Sequence, residues 1–124
     1  MREIFSGNPN TAIQAIDQPG AGGANHRYYV IRATDNKKST GIPIDGLFAS
    51  IHFQEGPVRE EGVNGCHQED LLAIVIDRLR SFQQGPFPCR ENALALTHCE
   101  EAMHWLNHRT AERTKRGVEG KTAA

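Results

Sequence analysis

The sequence predicts an α+β fold, in which a small N-terminal antiparallel β-sheet packs with a C-terminal antiparallel helical hairpin and the whole is oligomeric. Three observations carry that prediction. Arg90 to Arg116 runs without Gly or Pro and is dominated by Ala, Leu, Glu and Arg, which specifies one long helix. Cys66 to Gln84 sets Leu71, Leu72, Ile74, Val75, Ile76, Leu79 and Phe82 in a wide apolar stripe, which specifies a second. Upstream, Asn25 to Thr34 and Leu47 to Phe53 are rich in aromatic and β-branched residues and alternate with period two, as strands do.

Taken in order, Met1 to Gln14 is short of apolar residues and holds the turn signal Asn8-Pro9-Asn10, so it reads as a loosely structured arm with a short strand near Thr11 to Ile16. Asp17 to Ala24, DQPGAGGA, has two readings. One is a plain flexible loop, because Gly mainly lifts steric limits; the other is a loop whose amides approach a phosphate, though it lacks the lysine and following helix of a Walker loop. In the next strand Tyr28, Val30 and Arg32 share one face and Arg27, Tyr29 and Ile31 the other. Asp35 to Gly41 is a polar turn. The strand after it pairs back as an antiparallel hairpin, and its Leu47, Ala49, Ile51 and Phe53 face needs a cover that the helices can supply.

Gly56 to Gly65 is punctuated by Gly and Pro and ends near Asn64, a good N-cap for the helix Cys66 to Gln84. Gly85-Pro86 stops that helix, and the short connector folds the final helix back beside it. On the final helix Leu96, Cys99, Met103 and Leu106 form a seam, widened by Leu94, Ala95, Ala102 and Trp105. That is more apolar width than one neighbouring helix covers, and it predicts a homo-oligomer. The chain is read as one domain over 1–124, with arm and sheet at 1–61, the hairpin at 62–120 and a tail at 121–124.

Composition narrows the function. A 124-residue chain with 38% hydrophobic residues supports a modest core, and shared burial with a second subunit would help it. The net charge of -1 excludes a globally basic protein, so any anion site is local. The longest apolar run, Leu71 to Ile76, is far short of a bilayer span, the start has no signal-peptide pattern, and three widely spaced cysteines read as reduced cytoplasmic thiols. His104 and His108 have metal-sharing spacing, but there is no HExxH or paired CxxC, and a solvated polar face is the expectation; no metal and no cofactor are predicted. No strained elbow surrounds a Ser or Cys, and Cys99 sits on the apolar seam. No enzymatic activity is expected.

The basic end of the final helix is more informative. Arg109, Arg113 and Arg116 recur at i, i+4 and i+7, with Lys115 beside them. Solvated cations complementing a helix C-terminus are one reading; an arginine clamp for phosphate is the other. Two function classes follow: a non-catalytic binder of a small phosphorylated nucleotide held between subunits, or a helical hairpin docked on nucleic acid. A few clustered cations in a near-neutral chain suit one compact anion better than a duplex.

GVNG at Gly62 to Gly65, the ED-LLAI-IDRL pattern of Glu69 to Leu79, FQ-GPF-CRENALAL from Phe82 to Leu96, and EEAMHWLNHRTAERTKRGVEG up to Gly120 together resemble the phage-encoded Thoeris anti-defence sponges. Their helical hairpin is related to that of phage sponges acting against cyclic-oligonucleotide (CBASS) immunity. The resemblance is dense over Gly62 to Gly120 and looser over Asn25 to Glu55. It implies a β-sheet plus two-helix protomer assembling into dimers and hexamers in the cytoplasm of the infected bacterium. It further implies sequestration, without cleavage, of cyclic ADP-ribose isomers made by TIR-domain enzymes, with cyclic oligonucleotides bound at separate pockets in some members. Carried onto this chain, it assigns Phe82 to stacking, Asn92 to a polar contact with ribose or base, and Arg109 and Arg113 to the diphosphate. Asn25, Arg27 and Tyr28 close the pocket from the strand side; Arg90, which flanks the connector with Asn92, is a further ligand-binding candidate from its position alone, where core, capping or solvent-facing roles are equally open.

Overall fold

Strands β1 (Arg2–Ile4), β2 (Thr11–Ala15), β3 (Arg27–Arg32) and β4 (Leu47–His52) form one antiparallel meander in the order β1-β2-β3-β4 in the computed structural model, which describes residues 2–33 and 46–115. The helices α1 (Val58–Glu61), α2 (Gln68–Gln84) and α3 (Arg90–Lys115) follow, so the fold class is α+β as the periodicities predict. The predicted turn Asp35 to Gly41, together with Arg116 and the tail, lies outside the described residues. The chain divides into two compact units, Met1–Cys66 and His67–Ala124, and each is described by itself.

In the sheet unit the N-terminal arm is more ordered than its composition implies. Arg2 to Ile4 pairs with Ile13 to Ala15, because the Asn8-Pro9-Asn10 signal reverses the chain: the Asn8 side chain accepts from the Asn10 amide at 2.9 Å. The β2–β3 and β3–β4 registers put Tyr28 between Ala15 and Ile51, and Val30 between Ile13 and Ala49. The two faces of β3 therefore separate as predicted. On β4 one expectation fails. A bulge between Val30 and Ile31 leaves Phe48 as the extra residue and sets Leu47 opposite Ile31, out of the row of Ala49 and Ile51. Ile31 is 2% exposed, with Ala12 opposite it on β2, and its burial contributes roughly 1.5–3 kcal/mol.

The loop from Gln54 to Cys66 is held by side chains. Asn64, expected to cap the next helix, instead exchanges two 2.8 Å hydrogen bonds with the backbone of Glu55, and its own amide donates to Gln54 Oε1 at 3.0 Å. Gly62 ends α1 at φ 74°, a conformation that favours glycine. Gly65 passes so close to β4 that a Cβ there would stand 2.5 Å from the Phe53 carbonyl carbon. The GVNG sequence is thus largely a device for closing this loop.

In the helical unit the first cap is His67, three residues later than Asn64. Its amide donates to Asp70 Oδ2 at 2.9 Å, and its carbonyl accepts from the Asp70 amide at 3.0 Å. At the connector the Cys89 amide donates to Gln83 Oε1 at 3.0 Å, and the Cys89 thiol accepts from the Asn92 amide at 3.4 Å, so Cys89 caps α3. The least exposed positions of α3 recur at alternating steps of three and four, through Leu96, Cys99, Met103, Leu106, Thr110 and Arg113, and α2 matches them with Leu72, Ile76, Leu79 and Gln83. That is the pattern of a coiled-coil seam. Arg80 and Glu100 cross between the helices at 2.7 Å, an exposed pair contributing about 0.2–1 kcal/mol. Off the seam, Trp105 is 65% and Ile74 58% exposed within the chain.

Candidate functional site

The turn from α2 to α3 builds a cleft of about 400 Å³ lined by Ser81, Phe82, Gly85, Pro86, Phe87 and Asn92. Its shape follows from the stop signal. Gly85 closes the last turn through its amide to the Phe82 carbonyl at 3.2 Å, and a Cβ there would press on the Ser81 carbonyl oxygen at 3.2 Å. Pro86 cannot extend the helix, so the chain leaves the helix axis there and Phe87 joins Phe82 in lining the cleft. Phe82 is half-exposed, with the Arg78 guanidinium 5.3 Å above its ring, and Asn92 reaches the cleft from the first turn of α3. An aromatic face carrying a cation, with an amide opposite, can stack a base and hydrogen-bond its edge.

Two of the eight predicted positions, Phe82 and Asn92, are thereby brought together. Pro86, Phe87 and Arg78 were not picked out from the sequence. The i, i+4 spacing of Arg78 and Phe82 was the available signal for the last, since residues so spaced share a helix face. Arg90 is exposed in the first turn of α3 and does not line the cleft.

Arg109 and Arg113 occupy the other end of α3, Arg109 exposed and Arg113 half-buried at a seam position. At about 1.5 Å per residue, Asn92 and Arg109 stand about 25 Å apart along one helix. A single hairpin cannot close both ends on one small nucleotide. Beyond Ala102, His104 and His108 stack at 22° with Trp105 edge-on to both, which makes an exposed aromatic surface of this stretch. A shallow apolar groove between the helices, lined by Leu71, Leu72, Val75, Ala102, Trp105 and Leu106, continues it.

In the sheet unit Asn25 precedes β3, and Arg27 and Tyr28 stand on its two faces, as the alternation predicts. Asn25 is buried and its amide is committed: Oδ1 accepts from Arg2 Nη2 at 2.7 Å, and Nδ2 donates to the Asp17 carbonyl at 2.5 Å and to Asp17 Oδ1 at 3.1 Å. Tyr28 packs edge-on against Phe53 at 5.7 Å, while Arg27 is exposed on the opposite face, across from His52. What organises this end is Asp17. Burial pushes its carboxyl up, but hydrogen bonds from the His26 amide, the Asn25 side chain and the Arg27 amide outweigh that and hold it below the usual carboxylate value. The glycine loop is consequently pinned at both ends, with a 3₁₀ turn at Ala21–Gly23.

Among the described residues no helix is long and apolar enough to cross a membrane, and Cys66, Cys89 and Cys99 are free thiols. Residues 49–111 match the family model described as the Acb2/Tad1 hairpin domain. Over 89 residues the chain is 55% identical to a protein of Bacillus phage SBSphiJ7 named Thoeris anti-defense 1. The similarity covers 72% of this chain and 63% of that relative's length.

Proposed function

The chain belongs to the Acb2/Tad1 hairpin family, and from that premise we propose that it is a non-catalytic phage anti-defence sponge, binding a cyclic nucleotide immune signal in the infected cell and holding it away from its effector. The ligand class we assign is a cyclic ADP-ribose isomer made by a TIR-domain enzyme, with cyclic oligonucleotides as a second class. The 55% identity to a protein named for Thoeris anti-defence supports the biological role. The cleft supports the chemistry, since Phe82 and Asn92 offer a stacking face and an amide.

The observation that carries the reading is the distance along α3. Phe82 and Asn92 lie at one end and Arg109 and Arg113 about 25 Å away, farther than a single cyclic nucleotide reaches. In this reading the base end of one protomer meets the phosphate end of another, and the pocket exists only in the homo-oligomer. The exposed Trp105 and Ile74 and the apolar groove between the helices provide surface for such an assembly, dimer or hexamer. Arginine forks bind diphosphate oxygens in pairs, and side chains fixed on packed helices lose little freedom on binding. Capture then works by mass action with no chemical step.

The test is incubation of the purified protein with a panel of cyclic ADP-ribose isomers and cyclic di- and trinucleotides, followed by denaturation and chromatography of what is released. Intact ligand recovered from the protein is the expected result. Release of a hydrolysed product would replace the sponge with an enzyme. Retention of no small nucleotide, with binding of duplex or single-stranded nucleic acid, would favour the docking reading of the hairpin.

A further inference from the structure

Away from the cleft, three metal-ligating side chains converge at one end of the sheet. Asp17 follows β2, His26 directly precedes β3 and Glu55 follows β4, and the antiparallel meander brings these three strand ends to one edge. Backbone hydrogen bonds fix them there: the Ile16 amide donates to the Arg27 carbonyl at 3.0 Å and the Phe53 amide to the His26 carbonyl at 2.7 Å. One ligand atom from each of Asp17, His26 and Glu55 lies within 4.8 Å of the other two.

His26 makes the cluster more than a polar surface. The residue is only 7% exposed, and its amide, not its ring, is what binds Asp17. Among the described residues no side chain hydrogen-bonds or ion-pairs with that ring, while Gly20 backs it so closely that a Cβ there would stand 3.4 Å from Nδ1. An imidazole held beside two carboxylates at this range, and ion-paired with neither among the described residues, leaves room between the three donors.

We propose that Asp17, His26 and Glu55 bind one divalent first-row transition ion of the zinc class, which clamps the glycine loop to the ends of β3 and β4. The donor set is one imidazole nitrogen and two carboxylate oxygens, and it suits such an ion. Three atoms within 4.8 Å of one another can centre on an ion at most about 2.8 Å from each, so a contraction of at most about 0.7 Å reaches metal-ligand distance. Rotation of the half-buried Glu55 side chain can supply it. Outer partners are already placed: His52 Nε2 stands 3.4 Å from Glu55 Oε2, Asn64 grips the Glu55 backbone, and Asn25 donates to Asp17 Oδ1. Three protein ligands leave a position for water or an anion.

The test is titration of chelator-treated full-length protein with Zn²⁺ by calorimetry and with Co²⁺ by visible absorption. Expected are one ion per chain, a raised melting temperature and a cobalt spectrum without thiolate charge-transfer bands. Glu55→Gln should weaken uptake at least tenfold and His26→Gln abolish it, while His104→Gln with His108→Gln leaves it unchanged. If circular dichroism shows His26→Gln to be unfolded, Glu55→Gln decides. No saturable uptake at millimolar Zn²⁺, a thiolate band, uptake unaffected by Glu55→Gln, or loss in the His104/His108 variant would each overturn the site.

Discussion

Replacing Phe82 by Ala separates ligand recognition from folding. The ring is half-exposed in the last turn of α2, away from the buried Ile76, so its removal costs little packing. What it removes is one wall of the connector cleft and the face under the Arg78 guanidinium. A base stacked on an aromatic side chain contributes roughly 1–3 kcal/mol, equivalent to roughly 5- to 150-fold in dissociation constant. Calorimetry with a cyclic ADP-ribose isomer should therefore show that loss, while the melting temperature and the mass by light scattering stay at their wild-type values. Asn92→Ala should act in the same direction. Unchanged affinity in Phe82→Ala would take the aromatic out of the site and with it the assignment of the cleft.

Two further perturbations probe the sheet unit. Gly65→Ala places a Cβ against the backbone of Phe53 and His52, which cannot swing aside as a side chain would, and should destabilise the protein by about 1–3 kcal/mol in urea unfolding; an unchanged midpoint would refute the close approach. Because the Asp17 carboxyl titrates below its ordinary value of 3.8, its contribution to stability is complete above that pH and fades as pH falls through the folded-state value. In metal-free buffer the melting-temperature gap between wild type and Asp17→Asn should thus be widest near neutrality and narrow in acid, and a gap that widens in acid would contradict the hydrogen-bond assignment.

The helices were legible because their signals are local. Uninterrupted helix formers from Arg90, and Gly85-Pro86 as a stop, define α2 and α3 without reference to the rest of the chain. The seam through Leu96, Cys99, Met103 and Leu106 was legible for the same reason. The arm was not: Arg2 to Ile4 has little apolar character, and it becomes a strand because β2 offers it a partner. Nor was the shift of Leu47 out of the Ala49 row, which depends on a bulge that strict period-two alternation cannot express. Asn64 shows how one residue type serves two local ends, since its side chain can cap a helix or grip a loop and the close approach of Gly65 to β4 selects the loop.

In the candidate site the resemblance marked Phe82 and Asn92, which the connector brings together, and the single long helix legible from Arg90 onward already set Arg109 and Arg113 a helix length away from Asn92. The resemblance also offered Asn25 as a ligand contact, and the partners its side chain holds, Arg2 and Asp17, are set by the sheet and not by local pattern. Polar residues that hold a loop and polar residues that await a ligand share one composition. Only their partners separate them.

The most direct test of a pocket shared between protomers is complementation between defective chains. One chain carries Phe82→Ala with Asn92→Ala, the other Arg109→Ala with Arg113→Ala, and the two are co-expressed in equal amounts. Each alone should bind no cyclic nucleotide. If every pocket takes its base end from one protomer and its phosphate end from another, random assembly leaves about a quarter of the pockets intact, and the mixture should recover about a quarter of wild-type capacity with wild-type affinity. No recovery from a mixture shown by mass spectrometry to contain mixed oligomers would contradict the shared pocket.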